Sequence, residues 1–80
     1  MFQKIKEKIL TYCVYPEDKL NEKTELINDL HISSLDIMLL IGDLEDEFNI
    51  QFNQDDIIDT VTVGDLVDLI QKKIENSKQL

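Results

Sequence analysis

Apolar residues recur at helical intervals over three stretches of this chain, and between those stretches the pattern breaks down. Phe2, Ile5, Ile9 and Cys13, with lysines between them, predict an amphipathic helix from about Phe2 to Tyr12, stopped by Pro16. Ile37, Leu40, Ile41, Leu44 and Phe48 form the stripe of a second helix, and Val63, Leu66, Val67, Ile70 and Ile74 that of a last one. From Pro16 to Ile32 no period persists, but Leu20, Leu26, Ile27, Leu30 and Ile32 punctuate a polar segment. They predict a long loop pinned to the core at intervals, an arrangement uncommon enough in small domains to point to function. Asn49 to Asn53 alternates like a strand but has no partner run, so it reads as an extended connector.

Helix starts are written at a constant spacing. Ser33 with Asp36, Asn53 with Asp56, and Thr62 with Asp65 each pair a capping side chain with an acid three residues on, the spacing at which both can satisfy backbone donors of a first turn. The first places the start of the second helix at Ser33 or Ser34, and the second opens a short third helix through Ile58. The fold expected is all-α: a small four-helix bundle with a long first loop and a short third helix, residues 1–80 forming one domain. Phe2, Ile5, Leu40, Leu44, Ile58, Val67 and Ile70 are the expected core, and the tail after about Glu75 is expected to fray.

Charge narrows the function. Eight lysines, no arginine and seventeen acids give a net charge of −9, which repels nucleic acid and anionic membranes and favours basic protein partners. From Asp36 to Asp59 there are eight carboxylates and no basic residue. A single Cys13 excludes an internal disulfide, and a single His31 leaves too few soft ligands for a closed zinc site. The run Ile9 to Val14 is too short to span a membrane and no small-residue cleavage site follows it, so the chain reads as cytoplasmic, unprocessed and monomeric. Asp43 to Glu47 is not an EF-hand loop, because Phe48 stands where its glycine belongs and the segment is helical in pattern. No metal site is expected beyond loose association of divalent ions with crowded carboxylates.

The candidate chemistry sits at Ser34. A cap hydroxyl is occupied by backbone N–H groups, so if Ser33 caps the helix, the Ser34 side chain is free. It stands where unpaired N–H groups and the helix dipole favour a phosphate. Nothing in the sequence supplies it with a base, so it is expected to be modified by another enzyme and not to act as a nucleophile itself. Serine pairs ahead of apolar runs are most often plain helix starts, and the residues around this one are what change the reading.

The run Leu26-Ile27-Asn28-Asp29-Leu30-His31-Ile32-Ser33-Ser34-Leu35-Asp36, followed by Leu40, Leu44, Glu45, Asp46, Glu47 and Phe48, resembles the acyl carrier protein family. That family has an acid-Leu pair, a short spacer and Asp-Ser-Leu at the start of the second of four helices, and the similarity runs from about Phe2 to Glu75. The resemblance implies that Ser34 carries a covalent 4′-phosphopantetheine arm whose thiol holds cargo as a thioester. It implies a phosphopantetheinyl transferase and acyl-processing enzymes with basic docking patches as partners. Three positions depart from the pattern: Ser33 replaces the usual Asp, His31 a common Gly, and Leu39 a residue that tends to be acidic.

Helix two has more apolar residues than one buried stripe needs. Leu35, Met38 and Leu39 project elsewhere, and the long loop is expected to cover at least one of them. The rest, with Gly42 allowing close approach and Asp36, Asp43, Glu45 and Asp46 forming an acidic rim, are expected to meet partner enzymes. The function expected is a carrier without catalytic residues of its own, serving fatty-acid, polyketide or related biosynthesis, its cargo sheltered by loosening of the interhelical core. Aminoacyl or peptidyl cargo, or an unmodified acidic interaction module, are the alternatives that the residues leave open.

Overall fold

The structure, a computed structural model, describes residues 2–78. Four helices follow one another as α1 (Phe2–Leu10), α2 (Ser34–Phe48), α3 (Gln54–Asp59) and α4 (Val63–Lys78), with a single 3-10 turn at Glu17–Lys19. No named strand occurs among the described residues; Glu25 and Thr62 form an isolated antiparallel bridge. The expected all-helical architecture with its long first loop and short third helix is what the chain adopts.

α1 ends at Leu10, well short of Pro16 and two residues before the expected end. Thr11 explains the stop: its Oγ1 donates to the Glu7 carbonyl at 3.1 Å, while its own N–H turns to Lys8 O at 3.2 Å. A side chain has taken the carbonyl that the next helical turn would have used. Tyr12 N–H likewise donates to Ile9 O at 3.0 Å, and the Cys13 thiol donates to the same carbonyl at 3.5 Å. Burial pushes the Cys13 thiol above its ordinary pKa.

Two of the three expected capping pairs are complete. Asn53 Oδ1 accepts from Asp56 N at 2.9 Å and Asp56 Oδ2 accepts from Asn53 N at 3.0 Å. Thr62 Oγ1 accepts from Asp65 N at 3.1 Å, and Asp65 Oδ2 accepts from both Thr62 N and Val61 N. At α2 only half the pair forms: Ser33 Oγ accepts from Asp36 N at 3.2 Å, and no bond returns from the Asp36 carboxylate. Asp36 is therefore not a reciprocal cap.

Ile5, Ile9, Leu40, Leu44, Val63, Leu66 and Ile70 form the fully buried centre. Ile58 does not join them: the face of α3 that packs inward carries Ile57, and Ile58 is 68% exposed. α4 runs to Lys78, and residues 79 and 80, the end of the tail expected to fray, lie outside the described residues.

The first loop is held by Leu20, Leu26, Leu30 and Ile32, all buried, whereas Ile27 points out. It is also tied by main-chain bonds that the sequence did not announce. Leu26 N donates to Val61 O at 3.0 Å, Val63 N to Thr24 O at 2.9 Å and Gly64 N to Glu22 O at 2.9 Å, so the loop is stitched to the start of α4. Gly64 makes this approach possible, because a Cβ there would lie 2.9 Å from the Glu22 carbonyl oxygen. Gly64→Ala is accordingly expected to destabilise the chain by about 1–3 kcal/mol in urea unfolding, the usual effect of forcing a methyl group against backbone.

The loop closes through His31, whose φ of 55° lies in the left-handed region. Nested bonds surround it: Leu30 N donates to Glu25 O, His31 N to Ile27 O and Ile32 N to Leu26 O. A residue with a Cβ is strained by about 1–2 kcal/mol in that conformation, which is the physical reason a glycine suits this place. His31→Gly is expected to stabilise the chain by about 0.5–1 kcal/mol, the gain being reduced by the larger freedom of glycine in the unfolded chain. Equilibrium unfolding of the two forms checks it.

Acid should unfold the chain in a defined way. Lys73 first, then the Asn53 N–H, hold the Asp56 carboxyl below its ordinary pKa of 3.8, and the N–H groups of Thr62 and Val61 do the same for Asp65. Both groups bind protons more weakly folded than unfolded. Their contribution to stability is therefore complete above pH 3.8 and drains away as pH falls below it towards the lowered folded values. The net charge of −9 acts oppositely, since protonating solvated carboxylates first relieves repulsion. Stability is expected to rise modestly on going from neutral pH into the acid range, then fall, and the fall should be shallower for Asp56→Asn combined with Asp65→Asn.

Candidate functional site

Ser33 stands just outside α2 in an extended conformation, φ −69° and ψ 161°, with its hydroxyl turned inward as the cap. Ser34 is the first residue of the helix, is exposed, and its hydroxyl has no hydrogen-bond partner among the described residues. The backbone around it is only partly satisfied. Asp36 N–H goes to the Ser33 side chain and Ile37 N–H to Ser33 O at 2.9 Å, while the N–H groups of Ser34 and Leu35 have no acceptor among the described residues. A free hydroxyl beside unpaired donors at a helix N-terminus suits a phosphodiester.

Beside Ser34 lies a cavity of about 490 Å³ between α2 and α3. Ile37, Met38 and Ile41 form its α2 wall, Ile57, Ile58 and Val61 the opposite wall, and Leu26 and Ile27 its loop side, with Ser34 among the residues at its polar rim. The lining is aliphatic and its volume is that of a small-molecule site. Of the core in which a cargo shelter was expected, Ile5, Leu40, Leu44, Val67 and Ile70 are buried and Phe2 is partly buried, and none of these six lines the cavity. Of the residues assigned to that core, Ile58 alone lines the cavity. The sequence did hold a signal for this: two adjacent isoleucines on a six-residue helix cannot share a face, so one of them had to look outward.

A phosphopantetheine attachment site family profile matches residues 3–70, a stretch that includes Ser34. This chain belongs to the acyl carrier protein family. It is 36% identical over 74 residues to the acyl carrier protein of Thermotoga maritima, covering 92% of this chain and 91% of that one. The acyl carrier protein of Clostridium perfringens is 37% identical over 75 residues, 94% of this chain and 99% of its own length. That of Lactobacillus acidophilus is 37% identical over 71 residues, 89% of each. The prosthetic group of acyl carrier proteins is 4′-phosphopantetheine, and the free hydroxyl, the unpaired donors and the neighbouring cavity fit such a group.

The expected partner face is partly as the sequence suggests. Leu35, Met38 and Leu39 are 69%, 70% and 51% exposed, so the loop covers none of the three; it is drawn instead towards α4 by its main-chain bonds. Asp46 is exposed and Asp36 half-buried. Asp43 and Glu45 have other engagements. Tyr12 donates its hydroxyl to Asp43 Oδ2, and the carboxylate beside it holds the Tyr12 pKa above its ordinary value. Glu45 Oε2 accepts from Phe52 N at 2.9 Å, which ties the connector before α3 to α2. Glu47 lies 3.5 Å from Lys8 Nζ. Among the described residues, and apart from the chain neighbours and nearby backbone of α2 itself, nothing lies within 4 Å of a Cβ placed at Gly42, so no packing contact demands a glycine there. Among the described residues no group of three or more His, Cys, Asp or Glu side chains could hold a metal ion, and no helix is long and apolar enough to cross a membrane.

Proposed function

We propose that this chain is an acyl carrier in which Ser34 bears the 4′-phosphopantetheine arm and residues 1–80 act as one carrier domain. The observation that carries this reading is the aliphatic cavity of about 490 Å³ opening beside an unengaged hydroxyl. When bound, the arm supplies a thiol that holds cargo as a thioester. The chain's own residues do the rest: Ser33 caps the helix and leaves Ser34 free, the open N–H groups of Ser34 and Leu35 face the phosphate region, and Ile37, Met38, Ile41, Ile57, Ile58 and Val61 exclude water from an acyl tail. Such a lining favours an acyl chain over an aminoacyl or peptidyl cargo, whose polar groups would be left without partners in it.

The chain works as a cytoplasmic monomer, and as a carrier and not an enzyme: among the described residues no base is hydrogen-bonded to the Ser34 hydroxyl. His31, the sole imidazole, is turned out on the loop. Its partners are a phosphopantetheinyl transferase and acyl-processing enzymes. Leu35, Met38 and Leu39 enter their apolar surface, and the carboxylates of Asp36 and Asp46 meet a basic rim. Asp43 and Glu45 contribute field to that rim but stay in their internal bonds.

The test is reconstitution. The purified chain, given coenzyme A and a broad-specificity phosphopantetheinyl transferase, should gain one arm, and the loaded form should then accept a fatty acyl group as a thioester that hydroxylamine releases. A chain that gains no arm, yet still binds basic partners through α2, would instead be an interaction module.

A further inference from the structure

α3 is the least anchored helix of the fold, with no residue that is fully buried, yet it supplies one wall of the cavity. Ile57 and the preceding Phe52 are only partly buried against the core. Beyond that partial packing and the Glu45 tie to Phe52 N, a polar contact from α4 holds the start of α3, and it comes from one side chain. Lys73 Nζ lies 2.8 Å from Asp56 Oδ2, and the same ammonium sits 5.9 Å from the centroid of the Phe52 ring. Both partners of the ion pair are about three-quarters covered, at 23% and 21% side-chain exposure, which sets this pair apart from an ordinary surface bridge. Asp56 is at the same time the reciprocal cap of α3, accepting from Asn53 N, and its own carbonyl accepts from Thr60 Oγ1 at 2.8 Å. One cation on α4 thus clasps both ends of the segment Phe52 to Asp56, where α3 begins.

We propose that Lys73 is a positioning residue that clamps α3 as the movable wall of the cavity and so sets how far the wall yields to a long acyl chain. This rests on the carrier reading for its cargo, but not for the clamp itself. Lys73→Met removes the charge while keeping an apolar stem, and Lys73→Arg keeps both the charge and the contact with the ring. A merely structural role would loosen the whole molecule; a clamp loosens one wall.

Hydrogen exchange on the bare chain decides the clamp. Amides of residues 54–59 should exchange about five-fold faster or more in Lys73→Met, as loss of a partly covered pair implies, with those of residues 40–44 unchanged and Lys73→Arg close to the parent. Equal exchange in α3, or uniform acceleration throughout, would overturn it. The cargo consequence is read on chains loaded with hexadecanoyl-phosphopantetheine, by retention on a hydrophobic column. Lys73→Met should retain less than the parent, its wall giving way to bury more of the chain, and Lys73→Arg should match the parent; unchanged retention with faster α3 exchange would refute the cargo role. If the chain accepts no arm, the carrier reading fails separately, and the exchange measurement still decides whether Lys73 holds α3.

Discussion

Ser34→Ala is expected to give a folded chain that takes up no phosphopantetheine at all, whereas Ser33→Ala takes up one arm more slowly. The two hydroxyls are neighbours in sequence and opposite in situation. That of Ser33 is committed to Asp36 N–H, so its loss should weaken the start of α2 by about 1 kcal/mol and raise the population in which the first turn is frayed. That of Ser34 bonds nothing among the described residues, so its removal should leave unfolding by urea unchanged within a few tenths of a kcal/mol. Intact mass after incubation with coenzyme A and a transferase separates the two variants. The pairing of full stability with zero loading is the signature of a side chain kept for chemistry and not for structure.

Leu44→Ala should be the most damaging single truncation on α2, with a loss of about 2–5 kcal/mol. Leu44 has no exposed surface and belongs to the buried centre with Ile5, Ile9, Leu66 and Ile70. A domain of this length has a total stability of roughly 4–12 kcal/mol, so this one change takes a large share of it and should lower the thermal midpoint by more than about 10 °C. Leu35→Ala, nine residues earlier on the same helix and outside the cavity lining, is the control. Its side chain is exposed, so stability should hardly move, while acyl transfer by partner enzymes should weaken. One helix thus carries a face that holds the molecule and a face that other proteins read, and circular dichroism on heating tells them apart.

Much of this was legible in the residues because each helix buries a single periodic stripe. α2 and α4 follow their stripes closely, and the capping pairs at Asn53 and Thr62 mark two starts to the residue. That the Ser34 hydroxyl is left without an internal partner was legible too, because the cap occupies its neighbour. What escaped the sequence depends on contacts between segments far apart in the chain. The early end of α1 turns on Thr11 choosing the Glu7 carbonyl, and periodicity is blind to that choice. The stitching of the loop to α4 is main chain to main chain, so no side-chain pattern records it. The bond from Tyr12 to Asp43 and the pair of Lys73 with Asp56 join residues 31 and 17 positions apart, and each withdraws from solvent a carboxylate that a list of charges counts as free. The cavity was missed because it is made by what α3 leaves unburied, and Ile58 was read as core on its hydrophobicity alone.

Fragmentation mass spectrometry of the chain purified from its own cells, applied to the peptide that contains both serines, is the most direct measurement of the central assignment. The account predicts a single phosphopantetheine arm on the Ser34 side chain with Ser33 bare. An arm on Ser33, on any other residue, or on none of the molecules would contradict it.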